Sequence, residues 1–504
     1  MSVTDVEQTV EAKTMHVRFP HLVQRLPRKF AHLAMYQAGL AAGAQKADTY
    51  DWDTVFAIRF ADANTALTKP GACPTAFTAQ DPSSSTSATG TFGPWQLNGG
   101  DGVLLHMAIP ITSGTLTYEG KTHDLTGTKL TIELQLKDLP QDPSGASGKH
   151  DVVADGTKAV SVTEVKNMPG NPGFVIEAVT GGMLSKWFND NLGSFTHAFS
   201  TIDLKTPVDD QFKWLKPAKF GWAVSAQGKL EDHVFGVLAT TDERPAPNTM
   251  QISPNAIPKG QRAGFLISDE RFMAKLLLPG VHVMFSGSTE ADFELANDGT
   301  MIRNKNTVYM EEVELSTGKY RPKLEPNTVQ IHLEANEVVV EIKKAVIDFS
   351  PGITITMTYT SYSSLKLDRN SKNEQILVYE EASKPISDHN VEVAAWVIWT
   401  EVAASVAAAV LTLGAGAWFK KAIERVALRV VAIIVTLLIG ELIANISAII
   451  TAVAAGNKEK IPPINLMMLN ATKAITWPNS TGFELTWAGL NESLQFGGDP
   501  KFAH

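Results

Sequence analysis

Apolar and polar residues alternate along some stretches of this chain, and apolar residues run almost unbroken along others. In TKLTIELQLKD, Leu130, Ile132, Leu134 and Leu136 alternate with Thr131, Glu133, Gln135 and Lys137, the period of a half-buried strand. GITITMTYTSY repeats it, with Ile353, Ile355, Met357 and Tyr359 on one face and four threonines on the other. Long one-sided strands need an apolar layer to cover them. Two other stretches carry helical spacing. In GGMLSKWFNDNLGSFTHAFST, Leu184, Trp187, Phe188, Leu192, Phe195 and Phe199 recur at steps of three and four, which predicts a helix near 183–199 with one broad apolar face. ISDERFMAKLLLPG predicts a second helix, with Ser268 as N-cap, Asp269 and Glu270 in the first turn, and Pro279-Gly280 as the stop. AQDPSSSTSATGT and QDPSGASGKHD read as loops. DERPAPNTMQISPNAIPKGQ, where Pro and Gly accumulate, reads as the boundary between two lobes.

The apolar runs lie at 393–419 and 426–455, predicting a long helical pair near 391–456. A spanning helix needs about 20 apolar residues with few or no charges, and Glu401, Arg429 and Glu441 interrupt these runs. In the second run Arg425, Arg429, Thr436, Gly440, Ser447 and Thr451 fall at steps of four and seven, one narrow polar stripe along a helix face. An apolar helix with a thin polar seam is expected as the spine of a large fold. A pore-lining helix has the same pattern and is the outside alternative. No stable membrane span is expected.

Composition narrows the function classes. Within 504 residues, 53 acidic against 44 basic side chains leave a formal charge of -9; nucleic-acid binding, which needs a net basic surface, is not expected. Cys73 is the single cysteine, so no intrachain disulfide or cysteine-based zinc cluster is available. The N-terminal thirty residues lack the continuous apolar core of a secretory signal, and cytoplasmic synthesis is expected. PSGASGKH has proline at the first glycine position of a phosphate loop and His150 after its lysine, so it reads as a plain loop. Asp48, Asp51 and Asp53 lack the glycine and distal glutamate of a calcium loop. No dinucleotide fingerprint, nucleophile elbow or zinc-protease helix is present, and neither an enzyme nor a cofactor is expected.

Five blocks carry a resemblance: TYDWDTVFAIRFADANTAL, FGPWQLNGGDGVLLHMAIPITSG, FKWLKPAKFGWAV, AGFLISDERFMAKLLLPGV and ITWPNSTGFELTWAGLNESLQFGGDP. In content and order they resemble the OrfX and forty-seven-kilodalton protein family of clostridial neurotoxin gene clusters, itself similar to the tubular lipid-binding (TULIP) superfamily. That family has glycine where this chain has Asp51. The resemblance implies an α+β fold in which long curved antiparallel sheets wrap long apolar helices. The expected organisation is an N-terminal arm over 1–45, a first lobe over 46–250 and a second over 251–504. It also implies a non-catalytic accessory protein with toxin-cluster proteins as partners and a lipid or other apolar ligand in the tube. The groove-lining residues would be Leu184, Trp187, Phe188, Leu192 and Phe195 on the middle helix, and Trp396, Trp399, Val402, Val406 and Val410 on the long one. The alternative is an interaction scaffold that keeps the fold, fills the tube with its own side chains and binds partner proteins.

Overall fold

A computed structural model of the chain describes residues 46–69, 71–315, 318–350, 352–381, 386–393, 415–441 and 443–502. The chain divides into two compact units, one of Lys46–Ser268 with the segment from Pro463 onward, the other containing Asp269–Pro462. Among the described residues every paired strand is antiparallel, and helices pack on the sheets, so the mixed helix-and-strand class expected from the sequence holds.

In the first unit a 16-stranded sheet is organised about Thr54–Arg59, which pairs Val234–Thr240 on one side and Ala263–Ile267 on the other. Leu494–Asp499 then pairs Ala263–Ile267. The expected boundary at 250/251 is therefore corrected: residues 251–268 and 463–502 belong with the first unit, because their strands complete its sheet. The Pro/Gly-rich segment read as a boundary is a strap packed on that sheet. Its Ile252, Ala256 and Ile257 are buried against Trp52, Val55, Ala57, Leu238 and Leu266. Small residues make room for it. Ala223, Gly236, Ala57, Gly264 and Gly497 form a row across five neighbouring strands. A Cβ on Gly264 would stand 2.1 Å from the Ala256 carbonyl oxygen, and one on Gly236 would stand 2.3 Å from Ile252 Cδ1. Glycine in these strands marks close backbone approach.

The strand Lys129–Pro140 buries Leu130, Ile132, Leu134 and Leu136 as its alternation requires. Of the serine- and threonine-rich stretch read as a loop, 81–86 is a turn, and its flanks belong to a hairpin, Ala76–Gln80 with Ser87–Phe92. Its second strand is held by Leu104–Tyr118, a tertiary pairing that overrides weak local propensity. The middle helix is also shifted. It runs Phe174–Asn191, a 3-10 turn follows at Leu192–Ser194, and Ala198–Asp203 is a strand.

In the second unit a nine-stranded sheet is dominated by Glu337–Ser350 and Ile353–Arg369. Ile353, Ile355, Met357 and Tyr359 are buried, as expected. The segment after Ser268 is one helical turn, Asp269–Arg271, continued as a π-turn to Leu277 and a 3-10 helix Leu278–Met284. Pro279 thus opens the 3-10 helix instead of stopping an α-helix, since its missing N–H is not needed there. The helix Ala415–Leu438 packs on Ile353–Arg369. It ends at Gly440, where φ is +74° and the Glu441 N–H closes back on Thr436 O at 3.0 Å, a glycine C-cap. Ile386–Val393 is a strand where the helical pair was expected to begin, because its residues pair Ile353–Arg369.

Candidate functional site

The middle helix is tied to the edge of its sheet by two polar side chains one turn apart. The Val162 N–H donates to Ser185 Oγ at 2.9 Å, the Val160 N–H donates to Asn189 Oδ1 at 2.9 Å, and Asn189 Nδ2 donates back to Val160 O at 2.7 Å. These bonds satisfy backbone groups along the strand Ser161–Lys166 that would otherwise form an open edge. Gly181 faces the same strand, and a Cβ there would meet Val165 and Val162 at ordinary contact distances of 3.6 and 3.7 Å. With that face fixed, Leu184, Trp187 and Phe188 turn inward.

All five expected lining residues of this helical region are buried, although only three lie on the helix. Leu192 sits in the 3-10 turn and Phe195 just beyond it. They meet rings from outside the helix: Phe188 stacks on Phe92 with centroids 5.7 Å apart and meets Trp95 edge-on at 5.6 Å. Phe195 stacks on Trp95 at 5.2 Å, and Phe92 contacts Phe77 at 4.7 Å and Trp187 at 5.4 Å. The chain of rings continues from Phe195 through Phe199 and Phe235 to Trp477 and Phe56. Such pairs contribute about 0.5–1.5 kcal/mol each beyond area burial. Sequence reasoning missed Phe77, Phe92 and Trp95. For Phe77 and Phe92 the signal lies in the hairpin strands that carry them; Trp95 follows three residues after the second strand.

Three buried polar atoms of this region, Trp95 Nε1, Trp477 Nε1 and Ser200 Oγ, have no hydrogen-bond partner among the described residues. His197 stands edge-on to Phe199 with centroids at 4.9 Å, and burial pushes its imidazole down to about 4. The wall is therefore neutral and aromatic, with indole donors as its polar points. Among the described residues no three His, Cys, Asp or Glu side chains are grouped to hold a metal ion.

Trp396, Trp399, Val402, Val406 and Val410 lie outside the described residues. The rest of the second apolar run is placed. Glu311 receives Arg425 Nη1 at 3.0 Å and a close contact from Arg429 Nη2, while Arg429 Nη1 donates to Met284 O at 3.2 Å. Burial opposes the charge on Glu311, but the two guanidiniums outweigh it and hold the carboxyl below its ordinary range. The expected single polar stripe is not formed: the helix ends at Leu438 and a separate one runs Ile446–Ala454, Thr436 is buried with its hydroxyl on Ala432 O, and Ser447 and Thr451 are exposed on the second helix. Among the described residues no helix is long and apolar enough to cross a membrane.

The turn at 49–52 supplies another check. Tyr50 and Asp51 both adopt left-handed backbone, φ +52° and +68°, and the Trp52 N–H closes on Thr49 O at 3.1 Å. Asp51 holds the conformation for which glycine is best suited. Residues 49–498 match the OrfX-like family, described as Protein OrfX2/OrfX3/P47. The chain belongs to the OrfX-like family. It is 26% identical to Protein OrfX3 of Paraclostridium bifermentans, covering 91% of this chain and 99% of the relative. It is 27% identical to Protein OrfX3 of Clostridium botulinum (strain Kyoto / Type A2), covering 89% and 98%. The solved structure of P47 from Clostridium botulinum A2 shares the fold with a TM-score of 0.56 at 17% identity, over 90% of this OrfX-like chain and 98% of P47.

Proposed function

We propose that this OrfX-like protein is a non-catalytic accessory protein of TULIP-like architecture. Its interior is filled by its own side chains, and it acts by binding other proteins encoded in the same kind of toxin gene cluster. The observation that carries this reading is the ring-on-ring packing of Trp187, Phe188 and Phe195 against Phe92 and Trp95. The side chains of the middle helical region that were expected to face an acyl chain face other rings instead, at separations typical of a packed core. The membership of the family supports the choice of partner.

A second reading, carriage of an apolar ligand, is favoured by the buried indole N–H groups of Trp95 and Trp477. An ester or hydroxyl oxygen on a ligand would give them an acceptor, and leaving such donors unpaired costs roughly 1–3 kcal/mol each. Incubation with a fluorescent phospholipid and a fluorescent fatty acid, followed by gel filtration, separates the two. The filled interior leaves far less than one label per chain, while co-expression with cluster neighbours gives a co-eluting complex. One label per chain together with no complex overturns the scaffold in favour of the carrier.

A further inference from the structure

In the first unit the strand Lys219–Ser225 pairs Val234–Thr240 along its whole length, but on its other side it meets Gln96–Gly102 only at Val224 and Ser225. The neighbouring hairpin turns away at Val103, which is exposed. Lys219–Ala223 is therefore a free edge among the described residues. The phase of the ladder shows which groups it leaves open. The Phe60 N–H donates to His233 O at 3.1 Å, so the main-chain groups of His233, Phe235 and Val237 point toward Thr54–Arg59, and those of Val234, Gly236 and Leu238 point toward Lys219–Ser225. Gly221 and Ala223 bond back to Leu238 and Gly236 across that pairing. The N–H and C=O of Phe220 and Trp222 point the other way and have no partner among the described residues.

Two other edges of this unit are closed by side chains. Ser185 and Asn189 close Ser161–Lys166. Asn64 closes Gln96–Gly102, where the Leu97 N–H donates to Asn64 Oδ1 at 2.6 Å and Asn64 Nδ2 donates to Leu97 O at 3.1 Å. The edge at Phe220 and Trp222 has no such cap among the described residues, and it is uncharged from Phe220 to Ala223. Its two rings are half-buried on one face. Phe220 is held edge-on by His150 at 5.4 Å, and His150 Nδ1 lies 2.8 Å from Asp138 Oδ1. Trp222 adds a further unpaired donor, its buried Nε1. On the opposite face Met250 and Trp52 stand over Gly221. An uncharged apolar edge is a template for another strand.

We infer that this edge is the docking site for an extended segment of a partner protein, added as a further strand. Phe220 and Trp222 exchange N–H and C=O bonds with it, and their rings receive one of its apolar side chains. In this mode main-chain bonds supply affinity and pockets for alternate side chains supply specificity. A helix satisfies its own main chain and cannot match such an edge. The five residues from Lys219 to Ala223 span roughly 17 Å at about 3.4 Å per residue, so the segment needs about five extended residues. The inference rests on the scaffold reading and names the contact through which the scaffold binds.

Hydrogen exchange of the full chain, resolved to single amides by mass spectrometry, tests it with and without each co-expressed toxin-cluster neighbour. In the free chain the Phe220 and Trp222 amides should exchange about 100-fold faster than those of Gly221 and Ala223, and in a complex they should slow by about ten-fold or more. Phe220→Lys should weaken the complex about ten-fold or more, and Phe220→Val should keep it within about three-fold. An unchanged unfolding midpoint and slow Gly221 and Ala223 amides verify that each variant still forms the strand. Slow Phe220 and Trp222 amides in the free chain overturn the free edge. A complex that leaves both amides fast overturns this inference and leaves the scaffold reading standing. Protection that rises with the chain's own concentration and needs no neighbour puts a second copy on the edge and also overturns it. Where no neighbour binds, the scaffold reading fails by itself, and a displayed library of peptides of about seven residues becomes the probe. A selected peptide that protects both amides upholds the edge, and a library that yields none overturns it.

Discussion

Phe188→Ala puts the packed interior to the test. The ring is almost fully buried and is bounded by Phe92, Trp95 and Trp187 at centroid distances of 5.7, 5.6 and 5.3 Å. Truncating a Phe in a rigid core costs about 3–5 kcal/mol, because the transfer energy is lost and a cavity is left. Its packing against three aromatic rings places this site toward the upper end. At roughly 2–4 °C per kcal/mol for a unit of this size, the first unit's unfolding midpoint should fall by about 6–20 °C. Circular dichroism and calorimetry, read as separate transitions for the two units, measure it. Benzene supplies the control, since a dry apolar cavity lined by rings binds it. It should raise the midpoint of Phe188→Ala and leave the parent unchanged. A loss below about 1 kcal/mol, or equal stabilisation of parent and variant by benzene, refutes the filled interior, because Phe188 would then line space that already exists.

Gly280→Ala would place a Cβ 2.6 Å from Ile433 Cγ2 on the long helix, where Ile433 is fully buried. Overpacking should cost about 1–3 kcal/mol, and adding Ile433→Ala should restore part of it in a double-mutant cycle; strictly additive losses contradict the contact. Asp51→Gly relieves a left-handed φ of +68° and should raise stability by about 0.5–1 kcal/mol in urea titration, since the gain in backbone freedom of the unfolded chain offsets part of the relief; a loss would show that the Asp51 side chain holds the turn. His197 has an ordinary value of 6.5 lowered to about 4 by burial, so the unfolded chain takes up its proton first. Its contribution is fully present above pH 6.5 and falls by about 1.4 kcal/mol per unit as pH drops from 6.5 to 4, levelling off below. His197→Phe should flatten the parent's pH–stability curve in that window, and an unchanged slope would rule this out.

What could be read from the sequence follows the range of the interaction that makes each element. The strands at 129–140 and 353–369 show themselves through a period of two, which a one-sided sheet imposes on neighbouring residues. The aromatic residues of the middle helix were visible for the same local reason. The hairpin at 76–92 was not, since its serines and threonines are held by a strand further along the chain. The strap at 250–261 has the Pro and Gly content of a linker, and only the small-residue row on distant strands shows that it is packed. The return of Leu494–Asp499 to Ala263–Ile267 has no local signature at all. The first turns of the middle helix, from Phe174, lie ahead of the aromatic spacing that marks the rest of it. Ser185 and Asn189, at i and i+4, were the polar signal that this helix covers a strand edge.

Native mass spectrometry of the full chain, purified without detergent, tests the central claim most directly. The account predicts the mass of the polypeptide alone, unchanged by collisional activation. A second species heavier by the mass of one apolar molecule per chain, lost on activation, would contradict an interior filled by Phe92, Trp95, Trp187, Phe188 and Phe195.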